Sequence, residues 1–404
     1  MTLNLELEKS KPFYTNHDHI TGHVILEPQA SINLSQITVT LSGHSICRIE
    51  ASGRSESLQL FKETRQVFHR YGEFSAGSKS LTLGSKRYAF PFHVSFPHDP
   101  EYHRGHPSNS WESKSQTEPP ATSRMGQLPP STGNPSSSTE VVYTLNASVV
   151  VGNVFKQSIQ QSRRVFYSPT ISPQPPPSAM ALRRAVVFPC TGASIPDTAY
   201  LVTIELSQGA TLSLGQSLPI SIQVTRAGPA DHNLVLNDYQ AMLIEETVTR
   251  VRDLTQMQRI SRILRTVSNL HQTIFLADTP AGSTVCVSDS LWGGQSLSAT
   301  IVPSFETSRI HRRYKLEIRL GFNSGPEKVG PPQSSSGLCV YAGGSTGGHA
   351  HLTLAQVHTR ILEIEFSVSV VAIASASLPP TSPPVRARRE ESLPEGVHWK
   401  NMKQ

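Results

Sequence analysis

Charge is scarce in this sequence. Asp, Glu, Lys and Arg make up 16% of its 404 residues, where about 25% is usual. Hydrophobic residues reach 37%, against about 45–50% in ordinary globular chains. There are only four cysteines, Cys47, Cys190, Cys286 and Cys339, far apart and without CxxC spacing. That excludes a disulfide scaffold or a zinc ribbon. No window approaches the ~18 uninterrupted apolar residues of a membrane-spanning helix. The opening MTLNLELEKSK lacks the basic-then-apolar layout of a secretory signal, so a soluble intracellular protein is expected. The Asn-x-Ser triplets at Asn33 and Asn146 then read as chance. Catalytic signatures are missing too: there is no GxxxxGK[ST], GxSxG or HExxH. The GGSTGG run at 343–348 lacks the phosphate-binding lysine. No residue is assigned to catalysis, a cofactor or a metal, and the protein is not expected to be an enzyme. His98, His103 and His106 lie close in sequence, but a set of 16 histidines makes such a cluster expected by chance.

What is present is proline, serine and threonine between short runs of alternating hydrophobicity. Leu3, Leu5 and Leu7 alternate with polar residues, as do Ile37, Val39 and Leu41. The same holds for Tyr143, Leu145, Ala147 and Val149, for Leu316, Ile318, Leu320 and Phe322, and for Leu362, Ile364, Phe366, Val368 and Val370. A period of two places each apolar set on one face of a half-buried strand. Strands separated by Gly, Pro and Asn turns, without helix-length spacers, indicate all-β sandwiches. The length suits two domains. In YAFPFHVSFP, Phe90, Phe92, Val94 and Phe96 share a face, and Pro91 suits an edge strand.

One segment breaks the pattern. Across residues 253–270, Met257, Ile260, Leu264 and Val267 follow helical spacing, which predicts a helix, with a mobile loop as the alternative. Punctuation divides the chain. Residues 168–178, SPTISPQPPPS, read as an extended linker that does not pair in a sheet. Residues 105–139, with hardly an apolar anchor, read as a disordered insertion. Residues 326–350 look like a shorter loop, and the stretch after Ser375 like a tail.

In order along the chain, residues 14–24 (YTNHDHITGHV), 36–49 (QITVTLSGHSICRI), 88–97 (YAFPFHVSFP) and 142–149 (VYTLNASV) resemble successive strands of an arrestin N-terminal sandwich. Residues 214–224 (LGQSLPISIQV) and 301–322 (IVPSFETSRIHRRYKLEIRLGF) are similar to the C-terminal sandwich of fungal members. The resemblance implies two tandem antiparallel immunoglobulin-like β-sandwiches. The first spans residues 1–167, with the insertion at 105–139. A Pro-rich linker at 168–183 leads to the second, 184–375, and a disordered tail, 376–404. It also implies a non-catalytic adaptor, cytoplasmic and peripheral to the plasma membrane or endosomes. Such an adaptor binds membrane cargo, receptors or signalling proteins for endocytosis or sorting. Relatives of this kind recruit a HECT-type ubiquitin ligase through Pro-Pro-x-Tyr. None of the proline pairs here is followed by x-Tyr, so a ligase would be reached by an indirect route. The missing tyrosine gives weight to a coat or scaffold subunit of the retromer type. An unrelated ligand-binding sandwich is a third reading.

The formal charge of +6 favours anionic partners. Arg250, Arg252, Arg259, Arg262 and Arg265, offset locally by Asp253 alone, form the candidate anionic lipid or phosphate site, at about 1 kcal/mol per charge near an acidic leaflet. Arg309, Arg312 and Arg313 form a second group. A solvated face without a ligand is the alternative reading. The arginines lack interleaved aromatics, so nucleic acid is not expected as a partner.

Overall fold

The structure, a computed structural model, describes residues 1–69, 81–98, 127–151, 157–171, 178–188, 197–230, 232–325 and 358–374. In the first half the strands are β1 (Thr2–Leu7), β2 (His19–Glu27), β3 (Ile32–Ile49), β4 (Arg54–His69), β5 (Leu81–Leu83), β6 (Tyr88–Ser95), β7 (Thr139–Val151) and β8 (Gln157–Val165). A sheet ordered β1-β2-β6 accompanies one ordered β4-β3-β7-β8, with β5 added to β3. β3 shows why alternation produces this architecture. Ile37, Val39 and Leu41 are fully buried, while Thr38, Thr40 and Ser42 between them face outward. Gly43 interrupts the row because a Cβ there would come within 2.6 Å of the Tyr143 ring and 2.9 Å of Phe61. Those rings continue into Phe96 and Tyr167, the centre of the N-terminal core. In β6, Phe92 and Val94 are buried, as is Phe96 just beyond it. Pro91 sits on the sheet edge, where its missing N–H costs no ladder bond.

The second half contains β9 (Thr170–Ile171), β10 (Met180–Phe188), β11 (Thr198–Leu206), β12 (Thr211–Ser213), β13 (Ile220–Arg226), β14 (Asn233–Val251), β15 (Leu254–Val267), β16 (Gln272–Phe275), β17 (Thr284–Cys286), β18 (Phe305–Glu306), β19 (Ile310–Gly325) and β20 (His358–Ile373). One sheet runs β10-β11-β13-β17. The larger one runs β12-β20-β19-β14-β15, with β16 paired to β14, β18 to β19 and β9 to β20. A separate apolar cluster from Val186 to Val370 fills the space between them. Arg226 is 2% exposed within it. Its guanidinium donates to the carbonyls of Gly228, Leu276, Ala230 and Ala277 at 2.9–3.0 Å, so four loop carbonyls satisfy a buried cation. No α-helix occurs among the described residues, and the all-β expectation holds.

Three local expectations are corrected. The helix expected over 253–270 is β15, paired antiparallel with β14 from Val251↔Leu254 to Tyr239↔Val267. A bulge opposite Ala241 and Met242 absorbs Leu264, and Met257 and Ile260 before it stand on opposite faces of the strand, so the apolar residues do not follow a period of two. The insertion is ordered where it is described. Leu128 is 2% exposed in the N-terminal core, and Tyr143 Oη donates to Pro129 O at 2.5 Å. Thr132 and Val141 exchange backbone bonds, and Ser131 N–H donates to Tyr167 O. One leucine among polar residues anchors this segment, and the rest of the insertion, 105–126, lies outside the described residues. The linker does pair: Thr170 and Ile171, between Pro169 and Pro173, lie parallel to Ala372 and Ile373. β10 also begins at Met180, four residues before the expected boundary at 184. Residues 172–177, the 326–350 loop and the 376–404 tail lie outside the described residues.

Candidate functional site

β14 and β15 form one long hairpin, and all five candidate arginines lie on it. Its two-residue tip is Arg252–Asp253, with Arg252 at a left-handed φ of 54°. The N-terminal half holds that tip. Arg252 N–H donates to Glu56 Oε2 at 3.2 Å, and Arg54 Nη1 lies 3.5 Å from Asp253 Oδ1. Val251 and Ile310 are buried in the N-terminal core, with Leu254 and Phe305 packed against it. Apolar packing thus ties the tip to the first sandwich, and hydrogen bonds fix its orientation.

The arginines separate into two groups. Arg252 belongs to the tip and Arg250 lies beside it at the end of β14, where its N–H donates to Arg309 O at 2.8 Å. Arg259, Arg262 and Arg265 run along β15, all exposed. They do not share a face: Arg259 stands opposite Glu246, whereas Arg262 stands opposite Leu243 and Arg265 opposite Ala241. Nor is Asp253 their only offset. Arg259 Nη2 is 3.8 Å from Glu365, and Arg262 Nη2 is 3.7 Å from Glu245. Local sequence could not show these partners, because they arrive from other strands. Both arginines are about half exposed, and contacts this long hold them loosely.

The second arginine group is held more closely. Arg309 meets Glu56 at 2.5 Å and Arg313 meets Glu246 at 3.0 Å. Arg312 is buried with Glu245, Nε to Oε1 at 3.2 Å, and donates to Thr132 Oγ1 at 3.0 Å and Thr247 Oγ1 at 3.1 Å. Its guanidinium also lies over the Phe305 ring. Thr132 comes from the first half, so this buried pair bridges the two sandwiches. Burial and the neighbouring Glu245 push the Tyr314 hydroxyl up, and the hydroxyl donates to Val302 O at 2.6 Å. Lys315 is held above its ordinary range chiefly by the Glu365 carboxylate, 2.6 Å away.

β15 has a further property, at its outer edge. It ends its sheet, and among the described residues nothing pairs with its outer edge. Met257, Ile260 and Ile263 are 61%, 38% and 65% exposed. No other described strand presents more than one large exposed apolar side chain. β4, the edge of the N-terminal sheet, exposes Ser, Thr, Gln, Lys and Arg instead.

Elsewhere the outer face of β3, β4, β7 and β8 forms a polar trough of about 350 Å³ lined by Thr40, Ser42, His44, Lys62, Asn146 and Gln160, among others. Burial, and then the Lys62 ammonium, hold His44 below its ordinary value. Burial pushes the Cys47 thiol up to about 11. No group of three His, Cys, Asp or Glu residues suited to a metal occurs among the described residues. His98 is exposed there, and His103, His106 and the GGSTGG run lie outside them. No helix of the described residues is long and apolar enough to cross a membrane.

Residues 3–108 match the family model described as arrestin (or S-antigen), N-terminal domain. No curated protein matches the chain. That match covers β1 to β6, so this part of the chain is similar to an arrestin N-terminal domain, and the antiparallel β-sheets that continue through the second half are consistent with an arrestin-like fold.

Proposed function

We propose that this chain is a non-catalytic adaptor that binds membrane cargo, receptors or signalling proteins for endocytosis or sorting, reaching any ubiquitin ligase indirectly. The observation that carries the reading is the arrestin-like match over residues 3–108, which belongs to a family of adaptors. The anchored hairpin supports it: a tip seated in the first sandwich presents the exposed, basic β15 from a rigid base, as a docking platform requires. The arginines of β15 serve as the anionic contact, at a membrane surface or a partner. Purification of the intact chain from cells, followed by mass spectrometry, tests the adaptor reading. Plasma-membrane proteins should co-purify in substoichiometric amounts. A stable stoichiometric complex without them identifies a coat subunit, the second reading, which the missing Pro-Pro-x-Tyr tyrosine favours.

A further inference from the structure

We propose that the outer edge of β15 accepts an acidic, extended peptide segment as an added antiparallel or parallel strand. The inference rests on the adaptor reading and names the chemistry of its partner. Strand addition needs unpaired backbone groups in a fixed line, side chains that distinguish partners, and a rigid support.

The backbone groups follow from the register. Val251 and Leu254 close a two-residue turn and form a close hydrogen-bonded pair, and the pairs beyond them alternate. Thr255, Met257, Arg259, Ser261 and Ile263 therefore turn their N–H and C=O groups away from β14. The donation of Arg250 N–H to Arg309 O on the opposite side agrees with this alternation, since Arg250 is the partner of Thr255. The edge contains no proline.

The side chains set the chemistry. Met257, Arg259, Ser261 and Ile263 share one face, so a strand alongside meets apolar, cationic, small polar and apolar positions in turn. Ile260 and Arg262 repeat the combination on the other face, and Arg265 follows the bulge. An occupant with carboxylates among aliphatic or β-branched residues matches both faces. A second copy of this chain does not, because pairing β15 with itself would bring arginines beside arginines. A lipid surface would leave the outward amides unpaired in an apolar medium, which is costly. The loose Glu245 and Glu365 contacts, at 3.7 and 3.8 Å, leave Arg259 and Arg262 able to turn to a closer carboxylate.

The test uses the intact chain and a fluorescent, N-acetylated decapeptide of the repeat Val-Val-Glu-Glu, which places valine and glutamate on each face of a strand, read by anisotropy at low salt. Saturable binding is expected. N-methylation of every peptide amide keeps the charge but removes the donors of both strand edges, and should weaken binding at least about tenfold, or 1.4 kcal/mol. Arg265→Glu should weaken it severalfold without changing thermal stability. Amide exchange should slow at Met257, Arg259 and Ser261. Equal binding of the N-methylated peptide would show a charged surface without strand pairing. Pelleting with phosphatidylserine vesicles in the absence of peptide binding would make the edge a membrane contact. Either outcome overturns the inference while leaving the adaptor reading to the purification experiment.

Discussion

His44 shows how one side chain couples the outer face of the first sandwich to pH. Burial and the Lys62 ammonium disfavour its protonated form in the folded state, so the unfolded chain binds the proton more readily. Stability rises with pH wherever the unfolded state holds more protons. The contribution is therefore complete above the ordinary value of 6.5 and is lost as pH falls below it. Melting temperature measured from pH 7.5 to 5.5 should decline, and His44→Gln should flatten the decline. An identical slope in the variant would assign the sensitivity to other groups. Individual residues were the least legible part of the sequence. Arg226 carries no local sign of burial, because the carbonyls that receive it come from the segment after β13 and the loop after β16. Glu245, which holds Arg312 and Arg262, likewise acquires both partners through strand pairing.

At the scale of elements, period-two alternation identified most of the long strands because each has one face in a core and one in water. It failed where that condition lapses. β15 exposes most of its residues, so no buried face imposed a period of two. The 127–138 segment failed in the opposite way. Composition averages over a stretch, while a single buried Leu128 decides whether that stretch is held. Leu128→Ala should destabilise the protein by about 2–4 kcal/mol, the usual loss for a buried leucine, measured by urea denaturation. An effect below about 0.5 kcal/mol would mean that the backbone bonds to Val141 and Tyr167 hold the segment alone.

Across the whole molecule, the two cores share material. Val251 and Ile310 belong to β14 and β19 of the second half yet are 1% and 0% exposed within the first core. This exchange was not legible in the sequence, since both residues continue ordinary strand patterns. Shared burial makes the unfolding of one half expose apolar surface of the other. The intact chain should therefore melt in one calorimetric transition. Val251→Asp, which places a carboxylate in the shared core, should split it into two. One transition persisting at a lower temperature would locate the coupling elsewhere, in Arg312 and Thr132 or in the linker.

The short parallel pairing of Thr170–Ile171 with Ala372–Ile373 also imposes an order of events during synthesis. The segment joining the halves emerges from the ribosome long before the residues that clasp it. The first sandwich can assemble on its own strands, but the seam closes only when the end of β20 arrives. β20 also lies between β12 and β19 in the larger sheet. A premature stop ahead of Val370 would thus remove the clasp together with part of an interior strand, leaving the nascent second half with an open flank for chaperones to cover.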